Sequence, residues 1–278
     1  MTVHRKEALL RNHSLSRLRL VHAAFVDSYP IDSPGHRMSV NRLLFMLRED
    51  GGEESFIRDS GNGAFLPMLA GHVYFVPCNH VIDIHIAPRL EFLSLQFNLD
   101  LFYGLDIFDG LRRCVTLNDP ALTEELKGLL EEDSALRTLC RVSGVILDFC
   151  ALHAPGDSPG LRRRLAAGLK YGKVLDYIRA GVSAADTVAK LAELTGVRQD
   201  VFSRKFTRDM GVTPKDFISG ALLRRASDAL LKPGATVRGA AAELGFSSEY
   251  YFSHFFKRLT GVPPSVFQRQ NAFSWRAS

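Results

Sequence analysis

Cysteine is scarce and unpatterned in this chain. The four thiols, Cys78, Cys114, Cys140 and Cys150, include no Cys-x-x-Cys pair, which argues against a zinc ribbon and against a disulfide framework. No apolar run approaches the roughly 18 residues that would argue for a membrane span. The opening MTVHRKEALLRNHS has no secretory apolar core. Reduced thiols, a cytoplasmic location and no membrane partner are expected. Disorder is excluded as well: 46% of the 278 residues are hydrophobic and 23% are charged, enough for a sizeable core, and the length suits two domains.

The formal net charge of +5 hides a division. Residues 1–160 carry 15 Lys and Arg against 21 Asp and Glu, a balance of −6, whereas residues 161–278 carry 20 against 9, a balance of +11. A basic half joined to an acidic one points to a polyanionic partner for the second half, although a solvated basic surface has the same arithmetic. The two halves meet at His153-Ala154-Pro155-Gly156-Asp157-Ser158-Pro159-Gly160, where two prolines and two glycines break helix and strand alike. The domain boundary is expected near 153–162, with domains at 1–155 and 162–278.

Upstream of the boundary, Ile82, Ile84 and Ile86 alternate with Asp83, His85 and Ala87, the period of a half-buried strand. Leu93, Leu95 and Phe97 alternate with Ser94, Gln96 and Asn98 in the same way. Leu43–Leu47 and Val73–Val76 are short apolar runs bounded by turn residues. Many short strands suggest a small barrel or sandwich. From 120 to 152 the period becomes helical, through Leu122, Leu126, Leu129 and Leu130, then Leu136, Leu139, Val142, Ile146 and Phe149. These two helices either cap the barrel or form a subunit interface.

The second half repeats itself. Ala192-x-x-x-Gly196-Val197 matches Ala241-x-x-x-Gly245-Phe246 at an offset of 49. Phe202-Ser203-Arg204 matches Phe252-Ser253-His254 at 50, and Phe206, Gly211-Val212, Pro214 and Phe217 match Phe256, Gly261-Val262, Pro264 and Phe267 at 50. The slip places one insertion in the turn or early second helix. Each copy has the layout of a helix-turn-helix. The alanine lets two helices cross closely, and the glycine supplies a positive φ for a tight turn. Ser247 is the expected N-cap in copy two, against the weaker Arg198 in copy one. Phe202/Phe206 and Phe252/Phe256 face inward at i, i+4. Outward stand Asp200, Ser203, Arg204 and Thr207 in the first copy, and Glu249, Tyr250, Ser253, His254 and Lys257 in the second. Such side chains suit base-pair edges in a major groove. FISGALLRRASDALL (217–231) reads as one connecting helix that fixes the spacing of the two heads.

These residues resemble the AraC/XylS family of bacterial transcription regulators over about 170–270. The strongest block runs from Gly245-Phe246-Ser247-Ser248-Glu249-Tyr250-Tyr251-Phe252-Ser253-His254-Phe255-Phe256-Lys257-Arg258 to Thr260-Gly261-Val262-Pro263-Pro264-Ser265. The resemblance implies base-reading positions at Asp200, Ser203, Arg204, Glu249, Tyr250, Ser253 and His254. It puts Thr207, Arg208, Lys257 and Arg258 nearer the phosphates. The chain departs from the family at Arg198, Leu222 and Phe267-Gln268. The partners implied are double-stranded promoter DNA, a small-molecule effector, a second copy of the chain, and RNA polymerase if the regulator is an activator.

Gly71-His72-Val73-Tyr74-Phe75-Val76-Pro77 resembles the glycine–strand–proline turn of the family's cupin-like sensor barrel. That implies an effector pocket, with His36, Arg42, His80, His85 and Gln96 as candidates, and a dimer contact through the helices at 120–152. Enzymatic cupins carry a His-x-His pair; here Arg42-Leu43-Leu44-Phe45 stands in the first strand block, so neither a metal, a cofactor nor an enzyme is expected. The alternative is a cupin-type metalloenzyme with a helical localisation domain. The expected fold is an all-β cupin-like barrel followed by α-helices, then an all-α domain with two helix-turn-helix units joined by a linker helix.

Overall fold

The change of period near residue 120 is a change of architecture. The computed structural model describes residues 17–27, 30–48, 54–102, 105–154, 159–260 and 263–271. Among the described residues the elements before residue 120 are strands: β1 (Arg17–Val26), β2 (Ile31–Arg37), β3 (Asn41–Arg48), β4 (Phe56–Asp59), β5 (Phe65–Pro67), β6 (His72–Val76), β7 (Val81–Ile86), β8 (Glu91–Phe102), β9 (Leu105–Asp106) and β10 (Val115–Asn118). After it come helices, beginning with α1 (Pro120–Gly128) and α2 (Ala135–His153). The chain divides into two compact units, Leu18–Asn98 with Phe108–Ala154 and Lys257–Ser278, and Pro155–Phe256 with Leu99–Ile107 and Met1–Arg17.

The strands form two antiparallel sheets. One has the order β1-β8-β3-β6-β10, with β9 paired to β8; the other has β2-β7-β4-β5. Residues from both, among them Ala24, Leu44, Met46, Tyr74, Ile57, Ile84 and Phe92, share one core cluster. The first sheet is covered on its other face too, where Phe75 packs on Phe108 and on Phe149 of α2, each at 4.7 Å between ring centroids. This double cover explains the sequence pattern. A strand buried on both faces reads as a continuous apolar run, as β3 and β6 do, whereas β7 alternates because one face is partly open. β8 departs from expectation. Its alternation suggested a half-buried strand, yet Ser94, Gln96 and Asn98 are as buried as Leu93, Leu95 and Phe97. Its polar face turns toward the other sheet rather than toward water.

Gly71 closes the turn before β6 at φ 75, and a Cβ there would stand 3.1 Å from the Cβ of Pro120. Asp119 caps α1 by accepting from the Leu122 N–H at 3.0 Å, and Ser134 caps α2 through the Arg137 N–H at 3.3 Å. The apolar stripe of α2 outruns the surface that covers it. Val142, Ile146 and Phe149 are buried, but Leu136 is 72% exposed and Leu139 48%.

Of the expected linker, residues 155–158 lie outside the described residues. Helix α3 (Pro159–Lys170) starts within the stretch expected to be linker, because proline is tolerated in a helix's first turn. Then follow α4 (Gly172–Gly181), α5 (Val188–Glu193), α6 (Gln199–Met210), α7 (Pro214–Leu231), α8 (Val237–Glu243), α9 (Glu249–Thr260) and α10 (Pro264–Asn271). Among the described residues no helix is long and apolar enough to cross a membrane.

Helix α7 is the connecting helix expected at 217–231, extended to Pro214 and capped by Thr213, whose hydroxyl accepts from the Asp216 N–H at 3.1 Å. Its 18 residues span about 27 Å. Buried residues lie all round it, including Phe217, Leu222, Leu223, Ala226 and Leu230. Arg224 is buried as well and pairs at 2.5 Å with Asp100, which belongs to the same compact unit.

The first helix-turn-helix is braced at Asp209. The Lys170 ammonium, together with Arg208 and the Tyr171 hydroxyl at 3.0 Å, outweighs the effect of burial and holds the Asp209 carboxyl at about 2. A carboxyl that titrates below its unfolded value of about 3.9 contributes stability fully above that value and loses it as pH falls through about 2. The melting-temperature gap between wild type and Asp209→Asn should therefore be constant above pH ~4 and close toward pH ~2. A gap that persists unchanged at pH ~2 would contradict this assignment.

Candidate nucleic-acid interface

Both repeats fold as the sequence layout requires. Thr187 and Thr236 cap α5 and α8, accepting from the N–H of Lys190 and Gly239. Ala192 and Ala241 are buried at 3% and 2% exposure, where close helix crossing requires a small side chain. Gly196 and Gly245 take φ of 69 and 75, the left-handed conformation that turns the chain into the second helix. The offset changes inside the turn. Gly196 is followed by two residues before α6, and Gly245 by three before α9. The extra residue moves the N-cap of α9 to Ser248, whose hydroxyl accepts from the Tyr251 N–H at 3.3 Å, and not to Ser247 as expected. Arg198 begins α6 without a side-chain cap, as its residue type suggested.

Phe202 and Phe206 are buried, as are Phe252 and Phe256, so the opposite faces of α6 and α9 are presented outward. On α6, Asp200, Arg204 and Arg208 are exposed, and Ser203 and Thr207 half-buried. On α9, Glu249, Tyr250, His254, Lys257 and Arg258 are exposed, and Ser253 half-buried. Asp200 pairs with Arg198 at 3.2 Å and Arg204 at 3.9 Å. It holds two guanidinium groups at the head of α6, and its charge suits the positive end of the helix dipole, as does that of Glu249 in α9. The Thr207 hydroxyl donates to the Ser203 carbonyl at 2.7 Å, which ties it to its own helix. Arg208 pairs with Asp209 at 3.0 Å.

Gln199, Lys205 and Tyr251 are also exposed and were missed in the sequence. Tyr251 adjoins inward-facing Phe252, and only its 62% exposure distinguishes it; beside Tyr250 at 66% it gives α9 an open aromatic pair. Gly211 ends α6 at φ 77, while its counterpart Gly261 lies outside the described residues.

The five effector candidates part company in the β unit. His36, Arg42 and Gln96 line one cavity between the two sheets, joined by His22 and Ser94. The polar side of β8's alternation was the available signal for Ser94; nothing in the pattern singled out His22. His80 is elsewhere, buried with its Nε2 2.7 Å from Asp59. His85 lies on the outer side of β7, 3.4 Å from Asp32.

Asp59, His80 and Cys114 place possible metal-ligating atoms within 4.8 Å of one another. The cluster serves its own hydrogen bonds. Asp59 accepts from the backbone N–H of Gly61 at 2.7 Å and of Cys114 at 2.6 Å. Burial works to raise the Asp59 carboxyl, but these donors and His80 outweigh it and hold it below the usual range. Burial, then the Asp59 charge, pushes the Cys114 thiol far up, so it keeps its proton. None of the four cysteines is joined in a disulfide.

With two helix-turn-helix units, each presenting a polar and basic face, the helical unit has the architecture of a DNA-binding module. A helix-turn-helix domain family matches residues 191–270. LumQ of Photobacterium leiognathi, named a probable transcriptional regulator, is 29% identical over 191 residues, 68% of this chain and 71% of LumQ. The regulator YobQ of Bacillus subtilis is 27% identical over 92 residues, 33% of this chain and 38% of YobQ. This chain thus spans well under two thirds of YobQ and somewhat more of LumQ. Among solved structures, an apo ToxT variant from Vibrio cholerae has a TM-score of 0.57 at 10% identity, covering 92% of this chain and 97% of that one. This likeness shows a shared fold, a β-sheet part followed by a helical helix-turn-helix part. Residues 191–270 thus match a helix-turn-helix domain family, and the similar proteins are named as transcriptional regulators.

Proposed function

We propose that this chain is a one-component transcription regulator. Residues 162–278 read double-stranded promoter DNA, and residues 1–155 receive a small-molecule effector. The observation that carries the reading is the pair of recognition helices, α6 and α9, each anchored by two buried phenylalanines and open on a polar face. Arg204, Asp200 and Ser203, with Glu249, Tyr250, Ser253 and His254, read base edges. Thr207, Arg208, Lys257 and Arg258 serve the phosphates. The helices enter successive major grooves about 10 bp apart. The exposed leucines of α2, Leu136 and Leu139 with Leu147 and Leu152, support a homodimer.

Effector binding takes place at His36, Arg42 and Gln96; His80 and His85 are structural. ToxT has been solved bound to an unsaturated fatty acid. The regulator acts in the cytoplasm without catalysis, metal or cofactor, and meets RNA polymerase if it activates. The metalloenzyme alternative finds no support among the relatives.

Footprinting and titration on promoter-length DNA across salt concentrations test this reading. Protection should span two successive grooves per protomer, and affinity should fall steeply with salt. Arg204→Ala should relax specificity within one half-site, at a cost of about 1–3 kcal/mol. Lys257→Ala should weaken all sequences alike and reduce the salt slope by about 1. Salt-insensitive binding, or protection of a single groove, would reject the proposal.

A further inference from the structure

The cavity between the sheets is about 50 Å³, room for roughly three to five water-sized groups. Strand register builds its polar side. Arg42 on β3 stands opposite Gln96 on β8, with Leu44 opposite Ser94 two residues on. Cross-strand partners of this kind lie about 5 Å apart and share a face. On the other sheet, β2 is irregular between Ser33 and His36, where Gly35 takes a φ of 62 and its N–H donates to Asp83 at 2.8 Å. That irregularity turns His36 into the cavity. Its Nδ1 lies 3.1 Å from the Ser33 hydroxyl.

Three buried nitrogens at this cavity, His22 Nε2, His36 Nε2 and Arg42 Nε, have no hydrogen-bond partner. No acidic residue lines the cavity, and among the described residues no carboxylate pairs with Arg42. Burial pushes the Arg42 guanidinium down only to about 10, so it stays charged at neutral pH. Burial, then the Arg42 charge, holds His36 well below its ordinary value, so it stays neutral. When Ser33 donates to its Nδ1, the His36 Nε2 carries the proton and donates. A buried cation lacking its counter-charge and a neutral donor beside it ask for an anion. Leu44, Ile84, Ile86 and Phe92 supply the remaining wall. They favour a hydrocarbon body over a strongly hydrated inorganic ion.

We propose that this cavity binds a short-chain monocarboxylate, of about two to four carbons, with its oxygens on Arg42 and His36 and its chain on Ile84, Ile86 and Phe92. The proposal rests on the effector reading of the β unit and adds the class of molecule. A cation is repelled by Arg42, and an uncharged ligand leaves the guanidinium without its counter-charge.

The test is thermal unfolding of the full chain with sodium acetate, propionate and butyrate, against the matching amides and sodium sulfate at equal ionic strength. One or more of the acids should raise the melting temperature saturably, by mass action on the native state, and the amides should not. Arg42→Met should abolish the shift while leaving the ligand-free melting temperature equal or higher, because it removes an unpaired buried charge. Should that variant fail to fold, His36→Leu should weaken binding at least tenfold. Equal stabilisation by acid and amide, an unchanged shift in Arg42→Met, an unchanged affinity in His36→Leu, or no shift with any acid overturns the proposal. Stabilisation by uncharged molecules alone rejects the anion and leaves the effector reading standing. Carboxylate binding with no change in the DNA footprint leaves the site and rejects its regulatory role.

Discussion

Arg224→Met is expected to lower the stability of the helical unit by about 3–5 kcal/mol, although Arg224 lies on a helix whose sequence suggested only a connector. The reason is the charge left behind. Arg224 and Asp100 meet at 2.5 Å with side-chain exposures of 4% and 12%, so neither has much water to fall back on. Removing one partner strands the other in a low-dielectric setting, and the desolvation penalty is then uncompensated. Replacing both by apolar residues removes both penalties, so Arg224→Met with Asp100→Leu should recover most of the loss. Denaturant unfolding of the two single variants and the double variant forms a double-mutant cycle. Strictly additive losses would show that the pair is not coupled.

The second large effect is expected at Phe206. Its side chain is 0% exposed and its ring meets Tyr171 at 5.0 Å, Phe202 at 5.3 Å and Phe217 at 5.4 Å. It therefore joins α3's end, its own helix α6 and α7. Phe206→Ala deletes the ring from the centre of that cluster and leaves a cavity that the surrounding aromatics cannot fill, at about 3–5 kcal/mol. For a helical unit of this size that corresponds to a melting temperature lower by roughly 10–20 °C. Arg204→Ala, on the exposed face of the same helix, should leave the melting temperature almost unchanged. Calorimetry of the two variants separates the anchoring face of α6 from its exposed face, and equal losses would contradict that division.

Much of this molecule is legible in its residue order. The repeat at offsets of 49 and 50 located both helix-turn-helix units, because the small crossing residue, the left-handed glycine and the phenylalanine pair are local requirements recorded at fixed spacing. The slip between the offsets was visible too, but not its place. Only the backbone shows that the extra residue sits in the turn, which transfers the N-cap from Ser247 to Ser248. The effector candidates were less legible. His36, Arg42, His80, His85 and Gln96 look equivalent in the sequence, since a strand pattern shows which residues share a face and not where that face points.

By itself the sequence determined the two-part organisation, the change from strands to helices near residue 120, and the inward and outward faces of α6 and α9. These follow from the periods of single elements and from turn chemistry within a few residues. The tertiary structure alone decided that β8 is buried on both sides, and so that Ser94 and Gln96 line an interior cavity. It also separated His80 and His85 from that cavity, exposed Leu136 and Leu139, and joined Arg224 to Asp100 across 124 positions of chain. Each of these depends on what packs against an element, and that partner is set by sheet register and by contacts between distant segments, which no local period encodes.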